Sequence, residues 1–364
     1  MALPQSKIDE YYMRCALELA RNGQRCSPNP RVGCVAVRNG VIIGQGWHDV
    51  CGGPHAEVAA VRQAGGDIEG ADLYVSLEPC SHYGRTPPCA DMLIKHKPRR
   101  VVAGMTDPNP IVSGRGLDKL RAAGIEVKCG VLEDECKRIN RGFLRRMIYG
   151  RPWVTLKCAA SLDGKISLSN GESKWITGPE ARARVHLMRA QSDAVVTGVG
   201  TIIADNPMLT VRDVPGKTPM RAILDRTLRT PPQSAIFDGG EVVILTTEKA
   251  DAARKGALEA RGARIEVLPS ENYLQEVLKK LCDLGVNYLM VEAGAAVTSS
   301  FISSGLCDEL NLFLAPKLMG RGTSFTDGAE FPHMTDVPLL RDVEYEKCGN
   351  DLLVKGIFAC SPDL

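Results

Sequence analysis

His55-Ala56-Glu57, Pro79-Cys80 and Cys89 are the residues in this chain best suited to chemistry. One histidine and two cysteines supply three zinc ligands and leave a fourth position for water, the arrangement of a catalytic rather than a structural site. Zinc lowers the pKa of bound water from about 15.7 to about 7, so hydroxide forms near neutrality. Glu57 is adjacent to a ligand without needing to be one. It is placed to take the water proton and hand it to a leaving amine. The structural alternative is a closed site with His48 or His82 as fourth ligand, which leaves Glu57 without a role.

The second half carries weaker signals. It has no GxGxxG and no Walker loop. Gly198-Val199-Gly200-Thr201 and Glu292-Ala293-Gly294-Ala295 each follow an apolar strand, and glycine there permits close backbone approach to a ligand. A helix opening at Ala295 would turn its N-terminus toward a phosphate. Arg189 and Arg212 are candidates to grip an anion.

These residues need elements to hold them. The spacing of Ile8, Tyr12, Cys15 and Leu19 predicts a helix over about Ser6–Arg21, with Ser6 and Asp9 as a capping box. Two strand-like runs meet at Asn39-Gly40, a hairpin signal. A helix follows His55, with Pro54 at its first position, and Pro87-Pro88 precedes another near Cys89. Both helix N-termini would face the metal and favour thiolate and hydroxide. Strands and helices then alternate, which predicts a mixed sheet with helices on its faces. The arginine-rich stretch NRGFLRRMIYGRP marks a boundary near residue 148, giving domains 1–147 and 148–364. Beyond it, six strands (AVVTGV, RAILD, VVILTT, RIEVL, NYLMVEAG, ELNLFLAP), helices near 179–191, 249–261 and 272–284, and a closing hairpin predict a second α/β domain.

Composition sets the frame. A chain of 364 residues exceeds the size of one core and points to two domains. No apolar run reaches the roughly 18–20 residues that span a bilayer, and the N-terminus lacks a signal-peptide core. The protein is expected to stay in the cytoplasm where it is made. A net charge of +2 and 5% aromatic residues disfavour non-specific nucleic-acid binding. Thirteen cysteines, an odd number, are expected to be reduced, with Cys15, Cys34 and Cys158 as small core residues.

The first half resembles the zinc-dependent cytidine deaminase superfamily, whose pattern is H-x-E followed by P-C-x-x-C. Here the eight residues SHYGRTPP separate the cysteines. With that insert, SLEPCSHYGRTPPCA, HAEVAAV, SPNPRVG and MTDPNPIVSGRG resemble the deaminase half of the bifunctional riboflavin-biosynthesis family. The resemblance implies a cytidine-deaminase-like fold and a diaminopyrimidinone substrate carrying ribosylamine 5′-phosphate. It places Asn29, His48, Arg85, Asp107 and Asn109 around the substrate. Arg85 stands where relatives often have lysine, and holds phosphate with a planar fork. Turn formation is the alternative role for Asn29, Asp107 and Asn109.

LKCAASLDGKI, ESKWITGPEAR, VGVGTIIADNPMLTVR and VEAGAAV resemble the reductase half of the same family. That implies a dihydrofolate-reductase-like fold using NADPH. Carried over by position, Ala159, Trp175, Thr201, Asp205, Gly294, Ala295, Ala296, Val297, Thr298, Ser299 and Ser300 fall to the cofactor. Ser173, Arg189, Leu209, Arg212 and Glu292 fall to the substrate, joined by Lys157 and Asp163 facing the cleft. Ala293 stands where the family commonly has glycine. The expected reactions are hydrolytic release of ammonia, then hydride transfer to C1′ of the opened sugar, giving 5-amino-6-ribitylamino-uracil 5′-phosphate. The expected cofactors are Zn2+ and NADPH. The expected partners are a phosphorylated pyrimidine and further copies of the chain, with neither nucleic acid nor membrane. The alternatives are a nucleic-acid base deaminase with an accessory RNA-binding domain, a zinc-stabilised binding protein, and an enzyme with one domain decayed.

Overall fold

The computed structural model describes residues 3–83, 87–109 and 113–364, so Arg85 lies outside the described residues. The chain divides into two compact units, Met1–Gly150 with Leu364, and Arg151–Asp363. Among the described residues no helix is long and apolar enough to cross a membrane.

The first unit runs α1 (Gln5–Ala20), β1 (Gly33–Arg38), β2 (Val41–Trp47), α2 (Ala56–Gln63), β3 (Asp72–Val75), α3 (Cys89–His96), β4 (Arg100–Ala103), α4 (Arg115–Ala122), β5 (Glu126–Cys129), α5 (Glu133–Ile139) and α6 (Arg141–Tyr149). The strands form one sheet ordered β2-β1-β3-β4-β5. It is antiparallel across β2, β1 and β3 and parallel across β3, β4 and β5. Asn39 and Gly40 both have positive φ, 52° and 77°, the two-residue turn that matches strand twist. Every residue of β3 and β4 is buried, because helices cover both faces.

Two expectations for this unit need correction. No side chain caps α1, whose N-cap is Pro4. Asp9 is fully buried instead, taking Arg100 Nη2 at 2.6 Å and Lys128 Nζ at 2.8 Å. Pro54 lies one residue before the N-cap of α2, which is His55. The arginine-rich stretch forms helix α6, which buries Phe143 and Leu144 and ends one residue before the division between the two units.

The second unit runs β6 (Trp153–Ser161), β7 (Lys165–Leu168), α7 (Pro179–Gln191), β8 (Ala194–Gly198), α8 (Val199–Asp205), β9 (Met220–Leu224), β10 (Val242–Thr247), α9 (Ala252–Glu259), β11 (Ala263–Leu268), α10 (Tyr273–Asp283), β12 (Tyr288–Val291), α11 (Ala295–Ser303), β13 (Glu309–Ala315), β14 (Gly322–Ser324), β15 (Leu340–Cys348) and β16 (Asp351–Phe358). Nine strands form a sheet ordered β11-β10-β9-β8-β12-β6-β13-β16-β15. It is parallel from β11 through β13, and the closing hairpin β15–β16 adds antiparallel to β13. Successive residues face opposite sides, so Val196 and Leu245 enter one apolar cluster while Val195 and Ile244 enter the other. Helix α8 was not anticipated from the sequence.

Candidate functional site

Helix α2 carries His55 as its N-cap and Glu57 in its first turn, and Cys89 opens α3. His55 Nδ1 lies 3.3 Å from Cys89 Sγ and 3.5 Å from Cys80 Sγ. A tetrahedral centre with Zn–N about 2.05 Å and Zn–S about 2.3 Å has an N···S edge of roughly 3.5 Å, so this donor set fits zinc. Among the described residues no fourth His, Cys or carboxylate joins the group. The closed-site alternative also fails at His48. Its Nδ1 lies 3.0 Å from the Pro54 carbonyl and its Nε2 3.0 Å from Asn29 Nδ2. If Nδ1–H donates to the carbonyl, Nε2 accepts from the Asn29 amide. Burial lowers the His48 pKa.

Glu57 is 3% exposed, and its carboxyl is within hydrogen-bonding contact of the Cys89 thiol. Burial first, and then the charge of Cys80, push its pKa up to about 7. A carboxyl that titrates near neutrality serves as both acid and base. Cys80 Sγ accepts the Cys89 backbone N–H at 3.2 Å, so the start of α3 supports a thiolate there.

Asp107 is also buried, and burial raises its pKa to about 6. Its Oδ1 accepts the Asn109 backbone N–H at 2.9 Å, so the turn role is present. The sequence reading missed Glu78. Its carboxylate takes backbone N–H groups from Asp107, Gly114, Gly116 and Leu117. Backbone donors leave no residue-type signal by which to find it.

In the second unit a cavity of about 810 Å³ is lined by residues of β6, β7, α7 and α8 and of the turn that follows β12. Of the expected residues, Lys157, Ala159, Ser173, Trp175, Arg189, Thr201, Asp205, Leu209, Arg212, Glu292, Gly294 and Thr298 line it. Asp163, Ala295, Ala296, Val297, Ser299 and Ser300 are not among the lining side chains. The Asp163 carboxylate instead holds the backbone N–H groups of Met319 at 3.0 Å and Gly320 at 2.8 Å. Ser299 donates to the Asp327 carbonyl and Ser300 to that of Ala296. The sequence reading did not pick out Lys174, Arg182, His186 and Asp213, which also line the cavity. Arg182 stacks on the exposed Trp175 ring at 4.6 Å.

Arg189 is held from inside the protein. Its Nε and Nη2 donate to Glu292 at 2.8 and 2.9 Å, and Nη1 donates to the Thr210 carbonyl at 3.0 Å. Burial would raise the Glu292 pKa, but Lys157 and Arg189 outweigh it and hold the carboxyl down to about 2. The glycine at 198 serves packing rather than a ligand. A Cβ there would sit 2.7 Å from Val297 Cγ2. Thr201 Oγ1 accepts the Gly294 N–H at 3.1 Å, which ties the turn after β8 to the start of α11. The cavity size suits a dinucleotide.

Residues 6–105 match the family model for the cytidine and deoxycytidylate deaminase zinc-binding region, and residues 152–354 match that of the RibD C-terminal domain. The chain is 43% identical over 350 residues to riboflavin biosynthesis protein RibD of Aquifex aeolicus, covering 96% of this chain and 98% of that one. Against the Escherichia coli protein of the same name it is 42% identical over 362 residues, covering 94% and 98%. The Acinetobacter baumannii RibD structure, form 1, superposes with a TM-score of 0.89 at 40% identity, covering 97% of this chain and 99% of that one. A Thermotoga maritima diaminohydroxyphosphoribosylaminopyrimidine deaminase/5-amino-6-(5-phosphoribosylamino)uracil reductase superposes with a TM-score of 0.88 at 37% identity, covering 98% and 100%.

Proposed function

The chain belongs to the RibD family of riboflavin biosynthesis proteins, and on that premise we propose which of its residues perform the two reactions. It is a bifunctional enzyme with a zinc-dependent deaminase half, cytidine-deaminase-like, and an NADPH-dependent reductase half, dihydrofolate-reductase-like. Family membership displaces the RNA-base alternative. Residues 1–147 are assigned to the first activity and 148–364 to the second.

His55, Cys80 and Cys89 hold the zinc. When bound, the metal activates water toward the amino-bearing ring carbon. Glu57 takes one proton from that water and delivers it to the departing amine, so water enters and ammonia leaves. Asn29, His48, Asp107 and Asn109 orient the pyrimidine. The observation that carries this reading is the three-donor triangle with a buried carboxyl at its side.

In the second unit, NADPH when bound supplies hydride to C1′ of the opened ribosylamine. The start of α11 holds cofactor phosphate, and Lys157, Arg189, Arg212 and Glu292 shape the substrate end. The homo-oligomer and the cytoplasmic location remain part of the proposal and rest on resemblance. Light scattering on the purified chain reads the first.

The test is incubation of the zinc-loaded protein with the diaminopyrimidine nucleotide, following ammonia release and NADPH oxidation separately. Ammonia is expected without NADPH, and NADPH oxidation only with the pyrimidine present. NADPH oxidation on the diamino compound without ammonia release would overturn the order of steps and the role of Glu57.

A further inference from the structure

Glu78 stands two residues before the zinc ligand Cys80, at the end of the segment that follows β3. It is 3% exposed. A buried carboxylate needs partners for both oxygens. Among the described residues no cation is paired with it. Its Oε2 accepts the backbone N–H of Asp107 at 3.1 Å and of Gly114 at 2.9 Å. Its Oε1 accepts that of Gly116 at 2.8 Å and of Leu117 at 3.4 Å. The last three donors belong to the N-cap and first turn of α4, so the carboxylate caps a helix remote in sequence. The first donor is the backbone of a residue assigned above to the substrate. The approach is close. A Cβ at Gly116 would lie 2.0 Å from the Pro79 carbonyl oxygen and 3.1 Å from Glu78 Oε1.

We propose that Glu78 is a positioning residue for the deaminase, fixing the segment that carries Asp107 and Asn109 in register with the zinc-bearing segment. The proposal rests on the deaminase reading above. One side chain connects the two. Its main chain continues into Pro79-Cys80, and its carboxylate holds Asp107 and the start of α4. No other ionisable side chain replaces it with equal reach, because four N–H donors need two acceptor oxygens. Glutamine at this position turns one of those oxygens into an NH2 group facing N–H donors.

The test is steady-state deamination by Glu78→Gln, with zinc content measured on the same sample and reduction assayed on the already deaminated pyrimidine. KM for the diaminopyrimidine nucleotide is expected to rise about tenfold or more, the value of one charge-assisted hydrogen bond. Zinc content, reductase rate and kcat at saturation should stay within about twofold of the parent. Glu78→Asp keeps both oxygens on a shorter stem and should give a smaller rise in KM. An unchanged KM in Glu78→Gln overturns the proposal. So does loss of zinc, which would make Glu78 a support of the metal ligands instead. If neither variant folds, the role is structural and the proposal falls. Absence of ammonia release by the parent protein would instead refute the deaminase reading itself, which separates the two failures.

Discussion

Arg189 and Glu292 form a two-point ion pair, Nε to Oε2 at 2.8 Å and Nη2 to Oε1 at 2.9 Å, with Lys157 on the same Oε1 at 3.0 Å. The group is mostly buried, and removing Arg189 leaves Glu292 paired with Lys157 alone, with the Arg189 donor to its Oε2 gone. Arg189→Ala should destabilise the second unit by about 1–3 kcal/mol, the cost of a buried acceptor that loses its donor. It should lower NADPH oxidation while ammonia release is kept. Denaturant melts and the two separate assays check this.

The same carboxyl sets an acid limit. Its pKa falls from an ordinary 4.5 to about 2 in the folded protein. A depressed carboxylate contributes stability that is complete above the ordinary value and lost as pH falls through the folded one. The parent should therefore lose stability between about pH 4.5 and 2, and Glu292→Gln should show a flatter curve there. Thermal melts across that range read the difference.

Glu57→Ala should keep its zinc and its reductase rate and lose ammonia release by about 100-fold or more. Metal analysis beside the ammonia assay decides it. Normal deamination in this variant refutes the acid–base role.

A strong chelator should abolish ammonia release and leave NADPH oxidation on the deaminated pyrimidine intact, because only the first reaction uses the metal. Added zinc should restore the first activity. Cobalt substitution should give a visible spectrum with thiolate charge-transfer bands, lost in Cys80→Ser.

Gly198→Ala would push a methyl group into Val297 and displace the start of α11. KM for NADPH should rise several-fold, with deamination unaffected. Titration of the protein with NADPH, followed by fluorescence, measures the same shift directly. An unaltered affinity would show that α11 absorbs the methyl group without moving.

Much of this was legible in the sequence, and the residues show why. The zinc ligands could be read because only a few side chains bind zinc and prolines mark the helices that carry them. The Asn39-Gly40 turn could be read because two adjacent residues determine it. Asp9 was misread because a capping box is local, whereas its partners Arg100 and Lys128 lie 91 and 119 residues along the chain. Glu78 could not be read, since its partners are N–H groups that nearly every residue has. Arg189 carried the opposite ambiguity. Its type suggests an anion from outside, and the fold supplies one from within.

Five cationic and three anionic side chains line the second-unit cavity, an excess of two positive charges. The whole chain carries a net charge of +2. The rest of the molecule is thus electrically balanced, and the excess sits in one hollow. Small phosphate esters are drawn to that hollow from solution. Rising ionic strength should therefore slow capture by the reductase more than it slows the metal-dependent half.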